Sequence, residues 1–218
     1  MTKVAVVLSG CGVFDGSEIY ESVLTLLRLD QADAEVQCFA PNIQQMHVIN
    51  HGTGEEAVGE TRNVLTEAAR LARGEITDLA QANANEFDAL IVPGGFGAAK
   101  NLSDFAVKGA ECSVNEDLKR FAQAMNAQGK PVGFICIAPA MVPHIFGQGT
   151  KCTIGNDADT AAAINAMGGE HHDCRVDDVV IDQQRKIVTT PAYMLASRIT
   201  EAEKGINKLI DTVLNMVS

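Results

Sequence analysis

Val4-Ala5-Val6-Val7-Leu8-Ser9-Gly10-Cys11-Gly12, at the head of a 218-residue chain, runs from aliphatic and β-branched residues straight into a glycine turn. A short apolar run closed by glycines reads as a buried strand that ends in a tight bend. The same pattern recurs, and it predicts strands over 4–8, 35–40, 89–92, 132–135, 179–181 and 187–190. Between them, helical patterns are predicted over 17–29, 61–73, 114–127, 158–167 and 193–216, with a shorter helix after Pro139. Strands alternating with helices imply βαβ units and a parallel sheet covered on both faces. The expected fold is therefore α/β, a three-layer sandwich around a mostly parallel sheet.

The first helix illustrates the reading. At 100° per residue Ile19, Val23, Leu26 and Leu27 gather into one apolar arc, while Glu21 and Arg28 fall outside it, so the arc is expected in the core and Glu21 outside it. No linker, repeat or low-complexity tract divides residues 1–218, so one domain is expected, with 41–79 as an insertion carrying its own helix.

Composition narrows the function. With 28 acidic against 17 basic residues the formal charge is −11, a field that repels nucleic acid and anionic bilayers. No window reaches the roughly 18 consecutive apolar residues of a membrane helix, and no signal-peptide core follows Lys3. The six cysteines show no C-x-x-C pair and no disulfide-like spacing, and read as reduced thiols in the cytoplasm.

Gly10-Cys11-Gly12-Val13-Phe14-Asp15-Gly16 invites comparison with a dinucleotide fingerprint. Asp15 occupies the third glycine position, and the second strand ends in Phe39-Ala40-Pro41 without an acid for a ribose, so a turn shaping the mouth of a pocket is expected instead. Pro93-Gly94-Gly95-Phe96-Gly97 follows a strand at the sheet edge where such folds bind ligands, and its side-chain-free amides can form an oxyanion nest. In Gly133-Phe134-Ile135-Cys136-Ile137-Ala138-Pro139 a cysteine sits where a strand gives way to a proline-initiated helix, like a nucleophile elbow. The helix dipole is expected to favour its thiolate over the free thiol, whose pKa is about 8.5. Among the other cysteines only Cys11, near the same edge, is a plausible second thiol. His171 and His172 are adjacent and so point apart as metal ligands, His47 and His51 lack an aligning helix, and His144 is expected to face solvent; no metal is expected.

Taken together, Leu8-Ser9-Gly10-Cys11-Gly12, Glu21, Pro93 to Leu102 and Ile135-Cys136-Ile137-Ala138-Pro139 resemble the PfpI superfamily, with its flavodoxin-like, class I glutamine amidotransferase-like fold, and within it the ElbB-like group. The resemblance spans essentially the whole chain. It implies a glutathione-independent glyoxalase of the lyase type that turns glyoxal into glycolate, needs no cofactor, and assembles as a homodimer. Carried over residue by residue, it implies Cys136 as nucleophile, Glu21 as the carboxyl group beside it, and Gly94, Gly95 and the amide of Ile137 as oxyanion or substrate-binding groups. Glu18 is the alternative carboxylate. Where related enzymes carry a histidine after the nucleophile this chain has Ile137, and where a deglycase of the superfamily has a pocket histidine it has Gly155-Asn156, so proteolysis and glutamine hydrolysis are weakened. No diphosphate-binding basic cluster or Asp-rich metal motif supports isoprenoid synthesis itself. The alternative to an enzyme is a non-catalytic redox, stress-response or chaperone-like protein with an exposed, oxidisable Cys136. For Glu21 the expectation is partial burial, a raised pKa and a proton given to sulfur.

Overall fold

A computed structural model describes residues 1–217. Seven strands form the main sheet: β1 (Lys3–Val7), β2 (Glu35–Ala40), β3 (Ile76–Asp78), β4 (Ala89–Val92), β5 (Val132–Ile135), β6 (Val180–Asp182) and β7 (Ile187–Thr190). Their order is β6-β7-β5-β4-β1-β2-β3, and every pairing is parallel except β6 with β7. The helices are α1 (Ile19–Gln31), α2 (Val64–Ala68), α3 (Phe96–Lys100), α4 (Phe105–Lys108), α5 (Glu116–Ala127), α6 (Val142–Phe146), α7 (Ala158–Ala166) and α8 (Ile199–Asn215).

The sheet is buried on both faces because its side chains alternate. Ala5 and Val7 of β1 join Phe39, Phe134, Leu118, Phe121 and Met125 in the core under α5, where the rings of Phe39, Phe87 and Phe121 meet at 5.5–5.9 Å. Val4, Val6 and Leu8 point the other way, into a second core with Leu24 and Leu29 of α1 and Ile206, Leu209, Ile210 and Val213 of α8. This is the expected three-layer α/β sandwich. From β1 the chain moves outward to β2 on one side, and from β4 it moves to β5 on the other. The carboxyl ends of β1 and β4 therefore part, and such a reversal opens the crevice where open α/β sheets place their sites.

Some predicted elements differ. The pattern over 61–73 yields only α2, Val64–Ala68, followed by turns, and 193–216 divides into a 3-10 turn, Ala192–Met194, and α8. The stretch 41–79 contains a two-strand ladder, Ile49–Asn50 with Glu55–Glu56, and ends in β3, an edge strand without an apolar run to announce it. In α1 the predicted apolar arc is only partly inward: Leu26 packs against the core, with Leu24 and Leu29 buried beside it, while the rest of the arc faces outward. Ile19, Val23 and Leu27 are 41%, 48% and 47% exposed, whereas Glu21, Ser22 and Thr25 have no exposed surface. Amphipathicity assumes that polar groups seek water; here the inward face carries Glu21 for the site alongside Leu24 and Leu29, and Ile19, Val23 and Leu27 are left outside.

Gly205 shows how tightly α8 is set against the sheet. A Cβ there would press on the Val176 carbonyl oxygen and stand 2.7 Å from Thr190 Oγ1. Alanine gains about 1 kcal/mol of helix propensity, but overpacking against a fixed carbonyl costs about 1–3 kcal/mol. With a net cost of about 1 kcal/mol, Gly205→Ala is expected to lower the melting temperature by roughly 2–4 °C, measured by calorimetry; an unchanged or higher value would show that the seam between α8 and β7 yields freely.

Candidate active site

Cys136 stands one residue beyond β5. Its N–H donates to the Thr190 carbonyl at 2.9 Å, extending the β5–β7 pairing, and the chain then bends sharply with φ +65°. A left-handed conformation in a residue with a Cβ costs on the order of 1–2 kcal/mol, and it lifts the side chain over the sheet as a nucleophile elbow does. Ile137 leads into a 3-10 turn, Ala138–Met141, with Pro139 in its first turn, and then into α6.

Glu21 meets it from α1. Glu18 caps that helix, its carboxylate accepting the Glu21 N–H at 2.7 Å. Glu21 itself is fully buried; one oxygen accepts the Gly94 N–H at 3.0 Å, the other accepts the Tyr193 N–H at 3.2 Å, and the carboxyl also shares a hydrogen bond with the Cys136 thiol. Ala192, with φ +43°, forms the bend that presents the Tyr193 amide.

Electrostatics follow from burial. Desolvation, reinforced by the nearby Glu18, raises the pKa of Glu21 from 4.5 to about 8 against the opposing pull of its hydrogen bonds. Desolvation also pushes the Cys136 thiol well up, and the Glu21 carboxyl adds to this, while the amides of Gly95 and Ile137 act in the other direction. The expected low-pKa, exposed thiolate is therefore corrected. Cys136 is only 7% exposed, and the α6 that follows is one turn long, too short for its dipole to offset the loss of water. Glu18, the alternative carboxylate, is also buried, 8% exposed, and its own pKa is raised by that burial.

The two glycines are dictated by contact. A Cβ on Gly94 would collide with the Cβ of Cys136 and come within 2.7 Å of Glu21 Oε2, and Gly95 has φ +92° with Gly16 and Glu18 backbone packed against it. The first glycine turn is fastened to α3 by the Phe96 N–H donating to Val13 O and the Gly97 N–H to Gly16 O, both at 2.8 Å. The Asn101 amide donates to Ser9 O and Asp15 O at 2.9 Å. That turn does shape the pocket mouth, through Val13.

The pocket over Cys136 has a volume of about 380 Å³. Its walls are largely apolar; Glu18, Asp157 and Thr160 are polar members, and no Lys, Arg or His lines it. Gly95, Cys136 and Ile137 lie together at it, with Gly94 and Glu21 immediately behind through the bonds above. A larger concavity of about 740 Å³ opens over Asn156, Cys174, Arg175, Leu195 and Lys204. It holds no activated nucleophile, since burial and nearby Asp178 push Cys174 up to about 11 and Arg175 is paired with Asp177.

Other candidates lie elsewhere. Cys11 is half-buried, raised by desolvation and outside the pocket lining. His171 accepts the Ile154 N–H at 3.2 Å while His172 bonds Glu170 at 2.8 Å, so the adjacent rings do point apart. His144 is half-buried against Ala110 O rather than solvent-facing, and His51 holds the Phe14 N–H at 3.1 Å. Among the described residues no group of three His, Cys, Asp or Glu could hold a metal ion, and no helix is long and apolar enough to cross a membrane. Sequence reasoning missed Tyr193, whose contribution is a backbone amide and thus invisible to residue type, and the apolar walls Phe96, Phe105 and Met194.

Residues 3–194 match the model of the DJ-1/PfpI family. The chain is 47% identical over 223 residues to human glutamine amidotransferase-like class 1 domain-containing protein 3, covering 98% of this chain and 83% of that protein. It is 45% identical over 223 residues to the rat ES1 protein homolog, covering 98% and 84%. Both relatives are named mitochondrial, which overturns the cytoplasmic location expected from the sequence. Unpaired thiols fit a reducing compartment, but they do not separate the cytosol from the interior of mitochondria. Among solved structures, an isoprenoid biosynthesis protein with an amidotransferase-like domain from Ehrlichia chaffeensis aligns over 100% of both chains at 38% identity and a TM-score of 0.92, in keeping with the ElbB-like resemblance. Glyoxalase III of Candida albicans aligns over 100% of this chain and 98% of its own with a TM-score of 0.64 at 14% identity, a likeness of fold.

Glu21 gives the site a stability signature. Between its ordinary 4.5 and its folded value of about 8 the folded protein holds a proton that the unfolded chain has released. Its contribution is complete below 4.5 and is lost as pH rises to about 8, by up to about 5 kcal/mol. Glu21→Gln cannot ionise, so its melting temperature minus that of the wild type is expected to climb between pH 5 and pH 9. A difference constant across that range would show that Glu21 titrates as an exposed acid.

Proposed function

The chain belongs to the DJ-1/PfpI family, and on that premise we propose that it is a cofactor-independent glyoxalase, converting glyoxal to glycolate through a hemithioacetal on Cys136. The observation that carries this reading is a thiol hydrogen-bonded to a buried carboxyl of raised pKa, with two backbone amides beside the sulfur and no histidine at hand. Cys136 Sγ adds to one aldehyde carbon, its proton passing through Glu21 to the carbonyl oxygen, which the Gly95 and Ile137 N–H groups hold by hydrogen bonds; this leaves a hemithioacetal and an ionised Glu21. Glu21 then removes the hydrogen from that carbon as a proton and delivers it to the second carbon, while the hydroxyl proton passes to the second oxygen, leaving a glycolyl thioester. Water cleaves the thioester, freeing glycolate and the thiol. The electron pair given up by the first carbon is gained by the second, so no external oxidant takes part.

Other readings fit the site less well. A redox protein needs a reactive thiolate, and burial with Glu21 alongside holds Cys136 in the opposite direction. An amidotransferase needs a base for glutamine and a partner for its carboxylate, and the lining supplies neither histidine nor cation. For compartment we read a mitochondrial protein, on the names of the human and rat relatives. For assembly we read a homodimer, supported by the exposed stripe Ile19, Tyr20, Val23 and Leu27 along α1. Sedimentation is expected to find a dimer that Val23→Asp with Leu27→Asp converts to monomer; a monomeric wild type at micromolar concentration would refute it.

Glycolate formation followed by NMR tests the chemistry. Cys136→Ala is expected to abolish it with the fold retained, and a fully active alanine variant would overturn the reading. Glu21→Gln is expected to lose at least about two decades of turnover, the scale of lost proton transfer. The rate should rise with pH through about 8 as Glu21 ionises and can take the thiol proton. In Glu18→Gln, with the neighbouring charge gone, that limb is expected to move to lower pH; an unmoved limb would mean that Glu18 does not act on Glu21.

A further inference from the structure

We propose, building on the glyoxalase reading above, that the pocket selects 2-oxoaldehydes carrying an apolar group larger than methyl, seated against Phe96, Phe105 and Met194, in preference to glyoxal itself. Glyoxal has four non-hydrogen atoms and fills about two water volumes, on the order of 60 Å³. The cavity over Cys136 is about 380 Å³. Glyoxal would therefore leave most of the space beside the nucleophile to water lying on Val13, Phe96, Ala99, Phe105, Ala106 and Met194. Water held against such walls is released with gain when an apolar group replaces it.

Exposure points the same way. Phe96 is 48% exposed and Phe105 half-buried, two aromatic rings left uncovered at one pocket. The chain itself fixes this arrangement, since the Phe96 N–H is tied to Val13 O and the Lys100 ammonium, bonded to Phe14 O at 2.9 Å, lies 5.4 Å from the Phe96 ring centroid. Charge narrows the class further. The charged groups of the lining are Glu18 and Asp157, with no cation to balance them. A substituent ending in carboxylate or phosphate meets two acids and no partner, whereas a neutral alkyl or aryl group meets matching walls. The chemistry is unchanged: the thiol adds to the aldehyde carbon, that carbon's hydrogen leaves as a proton, the neighbouring ketone carbon gains one, and water releases a 2-hydroxy acid. The new carboxylate then faces the same two acids, which favours departure.

The test is kcat/KM of the wild-type protein on glyoxal, methylglyoxal, 2-oxohexanal, phenylglyoxal and 4,5-dioxopentanoate, each normalised to its addition rate with a simple thiol. One methylene in a fitted apolar pocket is worth about tenfold or more, so 2-oxohexanal and phenylglyoxal are expected to exceed glyoxal by at least about 100-fold. The carboxylate-bearing substrate should fall at least about tenfold below 2-oxohexanal. Ala106→Trp, which fills the wall, is expected to bring the phenylglyoxal-to-glyoxal ratio down toward one. If glyoxal is processed in a Cys136-dependent way as well as or better than the larger substrates, the tail preference is wrong and the glyoxalase reading stands. If none of the five yields a hydroxy acid, both fall.

Discussion

Glu21 has no water to solvate its charge, and the thiol it touches has almost none, so each group's ionisation depends on the other. A bare carboxylate in that position would cost several kcal/mol. Two backbone amides, from Gly94 and Tyr193, reduce the cost without removing it, and the carboxyl remains protonated up to about pH 8. Those amides come from loops at the ends of β4 and β7, and the thiol follows β5. One hydrogen-bonded carboxyl thus ties together the carboxyl ends of three strands, and the crevice at the parting of β1 and β4 is what brings α1 within reach of them.

The backbone bears the strain of that convergence. Cys136 takes a left-handed φ so that its side chain rises over the sheet, and Ala192 does the same to present the Tyr193 N–H. Gly94 and Gly95 allow the β4 loop to approach Cys136 and the Glu18 amide more closely than any side chain would permit. The cores beneath make this affordable, with Phe39, Phe87 and Phe121 locked on one face and α8 packed hard on the other.

The layered fold could be read from the sequence because parallel strands buried on both faces are continuous apolar runs, and Val4 to Leu8 and Ala89 to Val92 stand out as such. β3 could not, since Ile76-Thr77-Asp78 is a half-buried edge strand whose only requirement is pairing with β2. Cys136 and the glycine pair were legible because strand, turn and small residue leave a local signature. The orientation of α1 was not: its period is helical either way, and only the position of Cys136 across the sheet decides that Glu21 rather than Val23 faces inward. The direction of the thiol's pKa was lost for a related reason. A dipole can be inferred from a helix start, but burial is a property of everything packed around it.

The polarity of the pocket and the acidity of the chain are separate facts that act together. An overall charge of −11 repels anions from the surface, and the lining carries acids without a single cation. Neutral carbonyl compounds enter against no field, while a carboxylate made inside is disfavoured both at the site and beyond it. The reaction read from the site converts the first kind of molecule into the second. Electrostatics therefore need not assist chemistry here through a fixed positive charge. They are concentrated in amide N–H groups beside the sulfur and in a carboxyl group whose proton can be moved near neutral pH, which is the equipment an internal transfer of hydrogen between adjacent carbons requires.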